Sequence, residues 1–273
     1  APKPDLYPVL KDDKDIAFFN WNKLGNQYVL RLNHLHPPFN NQKIREALTY
    51  AIAQEEYLQA TIGDPEFYKV CGAMFVCGTP LAQEPADGRL VKPNLEKAKA
   101  LLKEAGYDGT PVVLMQSTDL DVLTNLAPVA KAQMERIGLK VEMQSMDWQT
   151  LVARRTKKEP PSAGGWNAFL TSWVSVDILN PISTAYLNSA CDKAPFGWPC
   201  DEVMEKMRDE YARETDPAKQ KELALKIQQR ALDYGTYAWV GQWYDAGVYR
   251  KGVIDGWLEA PAPVFWNMTK KGS

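Results

Sequence analysis

The chain has 273 residues, is 45% hydrophobic and 24% charged, and carries a formal net charge of -2. That is enough chain and enough apolar content for one large domain or two small ones with a genuine core. The near-neutral balance excludes the electrostatic footprint of a nucleic-acid or anionic-membrane binder. No apolar run approaches the roughly 20 residues of a spanning helix, and the opening Ala1-Pro2-Lys3-Pro4 reads as a cut inside a longer polypeptide.

In chain order, DIAFFNWN and QYVLRLNH over residues 13–33 are two extended stretches joined at Gly25-Asn26. Pro37 and Pro38 keep the backbone extended and forbid helix before Phe39. Asn40 or Asn41 then caps a helix whose apolar face is Ile44, Leu48, Ala51 and Ile52, with Phe39 stapling the entry and Gly63 as the stop. Residues 64–92 form a long irregular stretch. A helix over 94–109 ends at Gly106. The alternation PVVLMQS, DVLTNLAPVAKAQMERIG, LKVEMQSM, DWQTLVARRTKK reads strand, helix, strand, helix. The first helix is kinked or delayed by Pro128 and the second is capped by Asp147. This spacing predicts a βαβ unit with parallel strands over 111–157. WNAFLTSWVSV (166–176) is a strand, a loop runs to Cys200, and Asp201–Arg213 and Pro217–Tyr234 are helices. TYAWVGQW and AGVYR are strands before an irregular, aromatic tail. The fold class is therefore α/β, a mixed sheet flanked by helices, with irregular loops on one edge.

The four cysteines fall in two close pairs, Cys71 with Cys77 and Cys191 with Cys200. Neither spacing is a zinc or redox motif. Each span is short enough to close a local disulfide, which implies an oxidising compartment; four free thiols in a cytosolic protein are the alternative. No G-x-S-x-G, H-E-x-x-H, P-loop or G-x-G-x-x-G is present. His34 and His36 are the only histidines and lack a neighbouring Cys or carboxylate at ligand spacing, so they read as surface or packing groups. No metal and no cofactor is expected. Trp166, Trp173, Trp198, Trp243, Trp257 and Trp266 cluster near loop ends, where aromatics either pack the core or line a ligand pocket.

These segments together carry a resemblance. NHLHPPFNNQKIREALTYAIAQEEYLQATIGD, NLEKAKALLKEAGYDG, MERIGLKVEM, TSWVSVDILNP and VFWNM resemble, in order, segments of the extracytoplasmic solute-binding proteins of peptide and nickel ABC importers. The resemblance implies a periplasmic binding protein-like lobe. Residues 1–244 would be the second ligand-embracing lobe, and 245–273 a tail returning to a first lobe that lies outside this sequence. It also implies a monomer in the periplasm that delivers a small solute, a peptide by family default, to ABC permease subunits without catalysis. A secreted hydrolase using scattered carboxylates and a non-transport sensor on the same fold are the alternatives.

In the family an aspartate of the W…D…P loop holds the ligand's ammonium. The matching position, four before Pro181, is Asp177. Trp173 stands one residue further away than the pattern has it, and Asn180 replaces the acid before the proline. The resemblance thus nominates Asp177 for an amine, Trp173 for an apolar wall and Asn180 for an amide hydrogen bond. Gln242 and Trp243 are weaker candidates, with hinge or core packing as their other reading.

Overall fold

The computed structural model describes residues 2–258, 260 and 264–271. In chain order the elements are α1 (Tyr7–Asp12), β1 (Ile16–Asn20), β2 (Asn26–Leu32), α2 (Gln42–Ala51), α3 (Gln54–Thr61), β3 (Tyr68–Lys69) and α4 (Leu95–Glu104). There follow β4 (Val112–Ser117), α5 (Asp121–Thr124), α6 (Leu126–Arg136), β5 (Val141–Met146), α7 (Trp148–Arg154) and β6 (Ala168–Val174). The chain closes with α8 (Glu202–Arg213), α9 (Pro217–Tyr234), β7 (Ala238–Trp243), β8 (Ala246–Arg250), β9 (Ile254–Asp255) and β10 (Thr269–Lys270).

The predicted βαβ unit is present: β4 and β5 pair in parallel from Val112–Val141 to Ser117–Met146, with α6 packed over both. A parallel pairing of β4 with β6 and antiparallel pairings of β2 with β6, β2 with β7 and β3 with β7 extend this to a six-stranded mixed sheet in the order β3-β7-β2-β6-β4-β5. Helices α3, α6 and α7 pack on the sheet, and α2 packs against α6, α4 and α9. Strand β2 is central, and all seven of its residues are buried. Its polar side chains Asn26, Gln27 and Arg31 therefore face protein rather than water and must find partners inside.

The chain leaves this sheet twice at one end. Strands β1 and β8 form a separate antiparallel ribbon from Ile16–Arg250 to Asn20–Ala246. Only residues 21–25 separate β1 from β2, and only Tyr244 and Asp245 separate β7 from β8. A two-residue gap between strands commonly makes a hairpin; here the flanking strands enter different sheets. Gly25 sits at the first crossing with φ +67, and a Cβ there would collide with the Trp243 carbonyl at the second. Strands β9 and β10 form a further two-stranded ribbon in the tail.

Local signals mostly act as expected. Asn41 caps α2 by accepting from the Lys43 N–H, and Phe39 is fully buried beside it. Gly63 follows α3 with φ +75. Asp147 caps α7. Helix α6 starts after Asn125, which leaves Pro128 in its first turn, where its missing N–H costs nothing. The expected single helix from Asn41 to Gly63 is corrected: it breaks at Ile52-Ala53, both extended. Gln133 of α6 supports the break. Its Nε2 donates to the Ala53 carbonyl at 3.0 Å and its Oε1 accepts the Ala53 N–H at 3.2 Å. No glycine or proline marks the site; a side chain about 80 residues away in sequence supplies the missing partners.

Both cysteine pairs are disulfides, Cys71–Cys77 and Cys191–Cys200. The expectation that both stapled loops lie on one edge is corrected: they lie in different places. The first lies beside β7, where Gln54 Nε2 donates to both the Cys71 and Trp239 carbonyls. The second precedes α8, with Cys200 bridged to Ala190. Among the described residues no helix is long and apolar enough to cross a membrane.

Candidate functional site

Strand β2 begins, and β6 and β7 end, at the edge of the sheet where the two crossings leave. Register brings the nominated residues together there. Gln27 lies between Trp173 of β6 and Gln242 of β7, and Asn26 between Val174 and Trp243. The Ser175 N–H donates to the Gly25 carbonyl at 3.0 Å, tying the loop after β6 to the first crossing. Asp177 follows in the 3₁₀ turn Ser175–Ile178. A broad surface hollow lies elsewhere, between the N-terminal segment and the end of α3, and gathers none of these residues.

The five side chains have different duties. Asp177 is exposed and makes no hydrogen bond or ion pair among the described residues, so its carboxylate is available to a ligand. Trp173 is half-buried, its ring edge-on to Tyr186 at 5.1 Å. Tyr186 in turn meets Tyr237, and Tyr237 meets Trp239, making an aromatic row under the loop. Val29, Ile178 and Thr184 complete a crevice along this row that is too narrow for water. The Trp173 indole N–H is buried without a well-aligned acceptor.

Asn180 is engaged locally. Its Oδ1 accepts the N–H groups of Ile182 at 2.9 Å and Ser183 at 3.0 Å, which fixes the turn after Asp177. Gln242 is wholly buried: its Oε1 accepts the Cys77 N–H at 3.2 Å and its Nε2 donates to the Leu24 carbonyl at 3.0 Å. Trp243 stacks on Tyr28 with centroids 5.2 Å apart and donates its indole N–H to Ser172 Oγ at 2.9 Å. Of the other tryptophans nominated from sequence, Trp166 and Trp198 are core, whereas Trp266 is 87% exposed in the tail.

Apart from Gln242, several residues at this end gave no sequence signal. Gln27, Gln54, Gln228 and Gln242, all buried, hold the loop around the first disulfide: Gln27 Nε2 donates to the Met74 carbonyl, and Gln228 Oε1 accepts the Met74 N–H. Arg31 lies further along β2 with no carboxylate partner. It donates to the carbonyls of Phe196 (2.5 Å), Tyr186 (3.0 Å), Thr236 (3.1 Å) and Pro195 (3.4 Å) and stacks on Tyr186 at 4.4 Å. Burial pulls its pKa down to about 10. Arg31 thereby pins the loop over the aromatic row. Asp245, at the second crossing, accepts from Asn26 Nδ2 at 2.8 Å, and burial raises its pKa. The cluster Cys71, Cys77 and Glu84 has metal-like spacing, but its sulfurs are spent in a disulfide.

This end of the sheet thus gathers an exposed acidic loop, a row of aromatic rings and two adjacent chain crossings. Residues 1–195 match the family described as "Bacterial extracellular solute-binding proteins, family 5 Middle". This chain belongs to the family-5 bacterial extracellular solute-binding proteins. A probable peptide ABC transporter periplasmic-binding protein, y4tO, of Sinorhizobium fredii is 33% identical over 271 residues, covering 98% of this chain. The chain spans 51% of that relative's length. In fold it is similar to a dipeptide-binding protein of Pseudoalteromonas sp. SM9913 in complex with Met-Leu. That comparison has a TM-score of 0.79 and 19% identity over 99% of this chain and 53% of the other. It is likewise similar to the binding protein AgaA of A. tumefaciens R10 in complex with agropinic acid, with a TM-score of 0.78 and 16% identity over 99% and 55% of the two chains.

Proposed function

We propose that this chain is the second lobe of an extracytoplasmic solute-binding protein that captures a peptide or related small solute and delivers it to an ABC permease. The observation that carries the reading is the convergence of the Asp177 loop and the Trp173 aromatic row at the sheet end beside both crossings. A second body reached through adjacent crossings can close over that end by hinge motion. Residues 1–244 form the lobe and 245–273 the tail. The β9–β10 ribbon lies within the tail, while β1 of the lobe's range pairs with β8 of the tail; isolated two-stranded sheets are marginal in water, which supports a second body completing them. Phe265 and Trp266, 68% and 87% exposed, support a tail that packs against the other lobe. The protein acts as a monomer in the periplasm, without catalysis. Its disulfides and the peptide-transporter relative support that compartment and role.

Asp177 is the residue we assign to the solute's amine, because its carboxylate has no partner among the described residues, and Trp173 is the wall behind it. Asn180 acts by fixing the Asp177 turn and offers its amide N–H groups to ligand, while Gln242 and Trp243 support the site from beneath. The test is a thermal-shift screen of the full-length protein and of this chain against di-, tri- and oligopeptides, agropinic acid, sugars and metal complexes. Ligand bound to the folded state raises the transition by mass action. A shift with one class in the full-length protein alone supports half of a clamp; a strong shift in this chain alone overturns the two-lobe reading. Asp177→Asn should weaken amine-bearing ligands about tenfold or more, as expected for loss of a charge-assisted contact. Unchanged affinity sinks the Asp177 assignment.

A further inference from the structure

Asp245 is a carboxylate outside the Asp177 loop. It sits two residues beyond Trp243, at the end of the sheet that carries the Asp177 loop, on the passage between β7 and β8. It is half-buried, and its one hydrogen bond among the described residues comes from the Asn26 amide, 2.8 Å away. No lysine, arginine or histidine of the described residues forms an ion pair with it. Asn26 itself is on the adjoining strand, opposite Trp243, so the pair spans both chain crossings.

A second observation points to the same spot. The Tyr28 hydroxyl is fully buried and has no hydrogen-bond partner among the described residues, and the charge on Asp245 adds to the burial that opposes its ionisation. The Tyr28 ring is stacked against Trp243. A desolvated anion, a single amide donor, an orphan hydroxyl and aromatic rings form a poor setting for an isolated carboxylate. The same groups suit a cation, which a carboxylate binds by charge-assisted hydrogen bonds and aromatic faces attract.

We propose that Asp245, oriented by Asn26, is a second anionic subsite that receives a cationic group of the solute, an ammonium or guanidinium such as a basic side chain carries. The inference rests on the solute-binding reading above and adds to it a preference for basic solutes. Asp177 takes the amine at the loop, and Asp245 takes a second positive charge at the crossing.

The experiment is calorimetric titration of full-length wild type, Asp245→Asn, Asp245→Glu and Asn26→Ala with Ala-Ala, Ala-Lys and Ala-Glu. Wild type is expected to prefer Ala-Lys to Ala-Ala by about tenfold or more, the scale of one charge-assisted contact. Asp245→Asn should abolish that preference while leaving Ala-Ala within about twofold, and Asp245→Glu should retain part of it. The unligated Asp245→Asn protein should melt no lower than wild type, because a carboxylate whose charged form is opposed by burial has been removed. Equal weakening of Ala-Lys and Ala-Ala makes Asp245 a structural residue and overturns the proposal. If Asp245→Asn does not fold, Asn26→Ala decides, and an intact Ala-Lys preference there overturns it. A wild type that binds Ala-Ala and Ala-Lys equally overturns the subsite alone. A wild type that binds none of the three peptides overturns the peptide reading and the subsite with it.

Discussion

Replacing Arg31 with methionine keeps the length of the side chain and removes every donor. Four carbonyls, those of Tyr186, Pro195, Phe196 and Thr236, lose their partner at once. The Tyr186 and Thr236 carbonyls are in buried contacts, and an orphaned buried acceptor costs roughly 1–3 kcal/mol. The Phe196 and Pro195 carbonyls are at part-buried contacts, where water can replace some of the loss. Opposing this is relief of a desolvated cation without a carboxylate partner, worth several kcal/mol before its own hydrogen bonds are counted. The net expectation is a destabilisation of about 3 kcal/mol. With a slope of about 3 kcal/mol/M, the urea midpoint falls by about 1 M. Arg31→Lys should fall between, because three donors cannot reach four carbonyls and the planar stack on Tyr186 is lost. Equilibrium urea unfolding followed by tryptophan fluorescence reads both. A midpoint change below about 0.3 M for Arg31→Met would show that the guanidinium's burial cancels its bonds, and the claim that Arg31 pins the loop over the aromatic row would fail.

Burial, then the charges of Arg45 and Arg31, hold the His34 imidazole well below its ordinary value. The unfolded chain therefore takes the proton first. Stability is full above the unfolded value of about 6.5 and declines as pH falls below it, by up to about 1.4 kcal/mol per unit for one proton. Melting temperatures from pH 8 to pH 5 should show this, and His34→Gln should flatten the fall; an identical profile in the variant removes His34 as its cause. Lowered carboxylates such as Glu56 and Asp64 lose their stabilising effect at more acid pH, nearer their own unfolded values. For the disulfides, sequence separations of 6 and 9 give a chain-entropy stabilisation of roughly 2–3 kcal/mol each. Reductant should lower the melting temperature, and Cys191→Ser/Cys200→Ser should lower it under oxidising conditions; an unmoved transition in both tests refutes the stapling.

Legibility in the sequence followed the range of the interaction. The Asn41 and Asp147 caps, the Gly63 stop and the place of Pro128 depend on a few neighbouring residues, and each was readable. The 111–157 unit was readable because parallel strands need a crossover helix whose apolar periodicity is local. The family motifs placed Asp177 on an exposed loop, and pairing of nearby cysteines was legible from spacing alone.

What the tertiary structure alone decided is the fate of polar residues on buried strands. Gln27, Arg31 and Gln242 sit in segments that read as ordinary extended chain, yet each is committed to backbone groups far away in sequence. Gln133 breaks a helix for the same reason. Asp245 occupies a gap that looks like a turn until β7 and β8 part into separate sheets. Local propensity and periodicity record which face of an element is apolar. They do not record which distant carbonyl a buried donor must satisfy, because that obligation arises only when strands covered on both faces are brought together.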